Sequence, residues 1–303
     1  MRLAAIVPAT DHPPTLGRCV EAIRVAEDPP EELIVVENAA GPGPAAARNA
    51  GAALASADAD VLVFVDADVL PRRGAFRRIR LAFATEPELD GVFGSYDDEP
   101  EAPGIVSGFR NLLHHHVHQS GGGPAHTFWA GLGAIRRDAF AASGGFDAER
   151  FPAASVEDIE LGLRLTDAGS RIVLDPAIQG THLKAWTLAE MLRVDFERRG
   201  RPWSELLLER RDGTATLNLA WEHRLSALAS LVGVTAACAR RPRLAAGCLG
   251  ALLVLNARFY GLLLRRRGPA GAVTGPALHA LHHLAGVGAA ATTVGAALAR
   301  RLR

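Results

Sequence analysis

Three cysteines in 303 residues, at positions 19, 238 and 248 with no CxxC among them, exclude a disulfide framework and a cysteine-built zinc site. They imply a reducing compartment. Lysine is nearly missing: Lys184 is the only one. Acid is missing altogether from Leu225 to Arg303, a stretch that holds ten arginines, clustered at 240–243, 265–267 and 300–303 with Arg258 between. The formal net charge of zero therefore conceals an acidic body and a basic tail, two parts suited to different surroundings. No long apolar run opens the chain, since MRLAAIVPAT is too short for a secretory signal, and the body is expected in the cytoplasm. The tail's arginines are split by apolar runs instead of forming a polar basic face, which argues against a nucleic-acid partner.

The body alternates strand-like and helix-like pieces. Strands are expected at 3–10, 32–38, 61–66 and 91–96, and helices at 15–27, 45–55 and 74–84. Helices near 104–119 and 156–168 come next, with short extended pieces at 171–175 and 177–183 closing the domain. This order predicts an α/β fold, a mainly parallel sheet flanked by helices on both faces. From about Thr187 the chain reads as helical. Segment 225–239 is uncharged but short for a membrane span, 244–264 is long enough, and 268–299 is interrupted by Pro276 and three histidines. The expected division is an α/β domain over 1–205 and a helical, membrane-associated region over 206–303. A soluble alanine-rich bundle is the competing reading of that tail.

The stretch VLVFVDADVLP (61–71) carries the first chemical signal. A short apolar run ends in Asp66 and Asp68, at the carboxyl end of an expected central strand where open α/β sheets collect ligands. Residues i and i+2 of extended chain point the same way, so the two carboxylates would seat a hard divalent cation. Turns also favour aspartate, so the pair alone is weak. VFVDADV also fits the opening of a haloacid dehalogenase-type phosphatase. That chemistry needs a lysine and then an acidic pair downstream, whereas here Glu157–Asp158 precedes the single Lys184.

Several pieces, taken in order over about residues 1–190, resemble the family 2 glycosyltransferases of GT-A fold, and specifically a membrane-attached, inverting member. IVPAT resembles the opening strand that meets the nucleotide, which implies donor contacts at Pro8 and Thr10. LIVVEN places Glu37 where the family usually has an aspartate on the base, and GPAAARNAG places Arg48 and Asn49 beside the nucleotide. VDADV matches the DxD element, TFWAGLGAIRRDAF the donor-sugar segment with Trp129 and Gly131, and VEDIELGLRLTDAG the acidic helix carrying the base.

The resemblance implies that Asp68 ligates Mg²⁺ or Mn²⁺, that Asp66 holds ribose or metal, and that His182 in GTHLKAW supplies a further ligand, an imidazole that would favour Mn²⁺. It implies Asp158 as the base taking the acceptor's proton, with Glu157 as its neighbour. Against this, Ser155-Val-Glu-Asp158 is also a capping box, in which Asp158 would bond the Ser155 backbone instead. The run NLLHHHVHQ (111–119) reads as a solvated or acceptor-facing helix.

The implied activity is transfer of a hexose from a nucleoside diphosphate donor, a UDP-sugar more than a GDP-sugar, to a hydroxyl of a lipid-linked or membrane-associated acceptor at the cytoplasmic face of the cell membrane. A non-catalytic membrane scaffold of the same fold is the alternative. A nucleotidyltransferase would need GxGxR after its first strand, where VPATDHPP stands instead.

Overall fold

The computed structural model describes residues 1–210 and 220–302. They form two compact units, Met1–Glu101 with Val117–Lys184, and Ala102–His116 with the chain from Ala185 onward. The sequence suggests a single boundary at 205/206. The observed division falls earlier because residues 105–116 are held by the chain beyond Lys184. Trp186 donates its backbone N–H to Ser107 Oγ at 2.9 Å, and Arg110 pairs with Asp195 at 2.8 Å, both side chains buried.

The first unit is built on an eight-stranded sheet: β1 (Leu3–Pro8), β2 (Glu32–Val36), β3 (Val61–Val65), β4 (Val69–Pro71), β5 (Leu89–Tyr96), β6 (Gly123–Ala125), β7 (Leu132–Arg136) and β8 (Arg171–His182). The order is β2-β1-β3-β7-β5-β8-β4, with β6 paired to β8. The sheet is mixed: β1 runs parallel to β2 and β3, and β5 parallel to β8, while β7 lies antiparallel between β3 and β5. Every residue of β1 and β3 is buried, as continuous apolar strands covered on both faces must be.

Around the sheet stand α1 (Leu16–Arg24), α2 (Gly43–Leu54), α3 (Ala75–Thr85), α5 (Arg137–Ala142) and α6 (Glu157–Asp167), together with the end of α4 (Ile105–Ser120). The two extended pieces expected at 171–175 and 177–183 are one strand. Pro176 has no N–H to give the ladder, and the pairing with β5 slips there from Phe93↔Leu174 to Ser95↔Gln179.

The second unit is helical. It comprises the start of α4, α7 (Leu188–Arg193), a π-helical stretch (Val194–Gly200), α8 (Arg201–Arg210), α9 (Trp221–Cys238), α10 (Pro242–Leu255) and α11 (Ala257–Arg301). Thr187 caps α7 by accepting the Glu190 N–H. The segment 244–264, read from sequence as one span, is two helices. Asn256 leaves helical geometry at φ −115° and ψ 22°, and its amide bonds Ser226 Oγ at 2.8 Å. A second break falls at Gly268, whose φ of 67° favours glycine, just before Pro269. Among the described residues one helix, α11, is long and apolar enough to cross a membrane; α10 is a shorter apolar helix. Large apolar side chains stand exposed on all three last helices, among them Leu228, Val254 and Val273.

The histidine run on α4 differs from expectation. It is less solvated than a surface helix, since His114, His115 and His116 are half-buried and Phe109, Leu112, Leu113 and Val117 form a buried apolar stripe. His118 is itself buried, its Nδ1 2.9 Å from the Gly94 carbonyl oxygen.

Candidate functional site

In the first unit the parallel register aligns the carboxyl ends of the first three strands. Pro8 faces Val36, and Ile6 faces Phe64, so the residues just past each strand share one edge of the sheet. Thr10, Glu37 and Asp66 all lie just beyond that edge. Glu37 is exposed and stands 3.8 Å from His12 Nδ1. Asp66 donates its backbone N–H to the Gly131 carbonyl oxygen at 3.0 Å, which ties the end of β3 to the segment entering β7.

Asp66 and Asp68 do come together, but not by strand alternation. The chain leaves β3 at Val65 and turns, with Val69 N–H donating to the Asp66 carbonyl at 2.9 Å. The turn gives the two carboxylates different partners. Asp66 Oδ1 accepts from Arg48 Nη2 at 2.7 Å, and Asp68 Oδ2 lies 3.3 Å from His182 Nε2. The second pairing is set by the sheet, because β4 and β8 align Val69 with His182. Tyr96 fixes the imidazole: the rings stack 4.2 Å apart at an 8° angle.

Arg48, from the middle of α2, is buried and joins the two acidic elements. Its Nη1 donates to Glu157 Oε1 at 2.9 Å while its Nη2 holds Asp66. Burial alone would lower the arginine's pKa, but Asp66 and Glu157 raise it, so the guanidinium stays charged. Asn49, one position on, turns its amide to the Phe146 backbone, donating at 2.8 Å and accepting at 2.9 Å. Asn49 therefore pins the loop at Phe146 from one position beyond the arginine of the site.

At the start of α6 the two acids have exchanged the roles the capping motif suggested. Glu157 Oε2 accepts the Ser155 backbone N–H at 2.8 Å, so Glu157 is the capping acid and is buried. Asp158 is released from that duty. Its Oδ2 accepts the Ala130 N–H at 3.2 Å and its Oδ1 the Ile159 N–H at 2.8 Å, which aims it at the Trp129–Gly131 segment. Burial, and then the charge of Glu157 beside it, push the Asp158 carboxyl up to about 7. Asp66 is also raised, by burial first. For Asp68 burial acts the same way but is outweighed by the hydrogen bond and charge of His182, so it sits below the usual range.

Trp129 packs edge-on against Tyr96 and against His118. Gly131 is required beneath it, since a Cβ there would meet the indole at 2.4 Å. Tyr96 escaped the sequence reading. The only signal for it was its place at the end of a buried strand, which says nothing about a histidine 86 positions later.

The donor set fits a divalent cation. Asp68 and His182 offer a carboxylate and an imidazole side by side, and three further carboxyls, Asp66, Glu157 and Asp158, gather around one buried guanidinium. A hard or borderline dication such as Mg²⁺ or Mn²⁺ suits both the ligand types and the excess negative charge.

Residues 39–144, about a third of the chain, match the profile of glycosyl transferase family 2. Among solved structures, the mannosyltransferase PcManGT from Pyrobaculum calidifontis, in complex with GDP-Man and Mn²⁺, aligns at a TM-score of 0.53 and 18 % identity, covering 94 % of this chain and 87 % of that one. At that identity the likeness establishes the fold, which is of the GT-A type. Two weaker likenesses are GalNAc-T7 with UDP, GalNAc and Mn²⁺ (TM-score 0.46, 16 % identity, 65 % of this chain and 48 % of that one) and the catalytic domain of Drosophila β1,4-galactosyltransferase 7 with xylobiose (0.45, 18 %, 72 % and 83 %). No curated protein matches the chain.

Proposed function

We propose that the first unit is the catalytic part of an inverting, divalent-metal-dependent glycosyltransferase that moves a hexose from a nucleoside diphosphate donor to a hydroxyl of a lipid-linked or membrane-associated acceptor. The observation that carries this reading is Arg48, which bonds Asp66 at one end and Glu157 at the other and so brings the DxD turn and the acidic helix into one site. The family match over 39–144 covers the first of these elements, and the mannosyltransferase of like fold carries a nucleotide sugar and Mn²⁺.

Asp68 and His182 would hold the cation, with Asp66 at its flank. A cation held there would supply Lewis-acid stabilisation of the departing diphosphate. Pro8, Thr10 and Glu37 line the edge where the nucleoside would lie. Trp129 and Gly131 lie on the segment that Asp158 bonds, where the donor sugar would sit. Asp158 serves as base: a carboxyl near neutrality takes the acceptor hydroxyl's proton during attack without being too weak to hold it. Glu157, committed to Ser155 and Arg48, positions this base and is not itself the proton acceptor. The acceptor class rests on α11, long and apolar enough to lie in a bilayer, and on the acid-free arginine-rich tail. The same features support attachment to the cell membrane, and the sparse cysteines, none in a CxxC spacing, support a cytoplasmic side for the first unit.

Calorimetry of UDP and GDP binding to the full chain, with and without Mn²⁺ and beside Asp68→Ala, tests the donor site. Metal-dependent binding of UDP that the variant loses is the expected result. Metal-dependent binding of GDP alone would reassign the donor. Binding of neither to folded protein would favour a non-catalytic scaffold.

A further inference from the structure

The second unit contains a cluster of imidazoles that the proposed transfer reaction does not use. His279 and His283 are one turn apart on α11 and project from one face. His223, in the first turn of α9, meets them from the facing helix. One ring nitrogen from each of the three lies within 4.8 Å of the others. The His279 and His283 rings are 4.4 Å apart between centroids, and those of His223 and His283 are 6.3 Å apart.

Two further features point to a ligand. Both α11 histidines are buried, at 1 % and 7 % exposure, and among the described residues neither His279 Nε2 nor His283 Nε2 has a hydrogen-bond partner. A buried polar atom without a partner destabilises the fold, and here two sit side by side. The other nitrogen of His279, Nδ1, lies 3.1 Å from Tyr260 Oη. If that nitrogen carries the proton and donates to the phenol oxygen, Nε2 presents its lone pair to the cluster. Metal-bound histidines are oriented by an outer partner in this way.

We infer that His223, His279 and His283 form a binding site for a divalent transition metal of the zinc class, clasping α9 to α11. Three nitrogens on a tetrahedral zinc stand about 3.3 Å apart given its bond lengths of 2.0–2.1 Å, so side-chain adjustments of about an ångström close the set. All-imidazole ligation suits Zn²⁺, Co²⁺, Ni²⁺ or Cu²⁺ and not Mg²⁺, so this site differs in chemistry from the Asp68–His182 pair. It does not depend on the transferase reading. The sequence concealed it, because His223 lies 56 positions before its nearest partner and outside any metal-ligand spacing.

The test uses the full chain, purified in detergent without a polyhistidine tag, stripped with chelator and titrated with Co²⁺ in the absence of nucleotide. Four-coordinate Co²⁺ absorbs strongly in the visible, and octahedral Co²⁺ weakly. The wild type is expected to give the strong spectrum at one metal per chain. His279→Gln and His283→Gln should each weaken binding by more than about 100-fold, and Tyr260→Phe, which removes only the outer partner, by about 10–100-fold. Asp68→Ala should leave the spectrum intact.

A weak spectrum from the wild type, or a strong one that persists in the His279→Gln/His283→Gln double variant, overturns the proposal. Should these variants fail to fold, the Asp68→Ala chain, whose other cation site is removed, still decides it. Saturating Zn²⁺ must raise the Tm of that stripped chain, as any ligand bound only by the folded state does, and an unchanged Tm rejects the site.

Discussion

Arg48 and Glu157, 109 positions apart in sequence, bond at 2.9 Å with each side chain 5 % exposed. The same guanidinium holds Asp66, so removing it strands two acids at once. Breaking one side of a buried ion pair costs about 3–5 kcal/mol. Arg48→Met should therefore lose stability of that order, read by urea unfolding in detergent. A loss below about 1 kcal/mol would mean that water already screens the acids.

Asp158 and Glu157 should separate cleanly under mutation. Asp158→Asn is expected to lower kcat by about 10²–10⁴, the usual contribution of a general base, while leaving nucleotide affinity nearly unchanged. Glu157→Gln should lower stability as well, because Arg48 and the Ser155 N–H both lose a charged acceptor. A larger loss of kcat from Glu157→Gln than from Asp158→Asn, with stability intact, would assign the base to Glu157.

The pH dependence comes from the same residue. Asp158 acts when ionised, and its pKa stands raised to about 7, so kcat/KM for the acceptor should climb with pH and level off above neutrality. The sign for stability is opposite. A folded-state pKa above the ordinary 3.8 means that this group favours the fold below pH about 4, a contribution lost as the pH rises through about 7. Asp68, held below the usual range by His182, adds no limb near neutrality. A flat acceptor profile from pH 5 to pH 8 would remove Asp158 from the role.

His182 offers a test of metal choice. Replacing its imidazole by an amide in His182→Gln leaves an oxygen ligand beside Asp68, and oxygen suits Mg²⁺ where imidazole favours Mn²⁺. Activity in Mn²⁺ should fall about tenfold or more relative to Mg²⁺ in paired assays. An unaltered ratio would make His182 a structural partner of Tyr96 only.

Gly162 sets how closely α6 approaches the strand-entry segment. A Cβ there would meet Phe128 N at 2.2 Å and the Thr127 carbonyl carbon at 2.4 Å, backbone atoms that cannot swing aside. Gly162→Ala should cost about 1–3 kcal/mol as an overpacked contact. It should also weaken catalysis, since the same approach brings Asp158 to the Ala130 N–H. Unchanged kcat in a destabilised variant would separate packing from positioning.

Much of the first unit was legible because its signals are local. Continuous apolar runs such as VLVFV, punctuated by proline and acid, read as buried strands, and the apolar period of α1, α3 and α6 placed those helices within a few residues. Short-range reasoning failed where the outcome depended on a distant partner. Asp66 and Asp68 lie in a turn whose geometry Gly131 and Val69 hold, and the capping acid proved to be Glu157 because Arg48 arrives from α2 to share it. In the tail, hydropathy alone ran 244–264 together, while Asn256 found a hydroxyl on α9 and ended the helix.

The chain's order of residues by itself determined the α/β pattern, the acid-free helical tail and the set of groups available for chemistry, since propensity, burial period and charge act over a few neighbours. Only the tertiary structure decided which groups meet: Arg48 with Glu157, Asp68 with His182 under Tyr96, His223 with His279 and His283. Those meetings join elements tens of residues apart, and their energies depend on burial and on a partner's position, neither of which a local pattern carries.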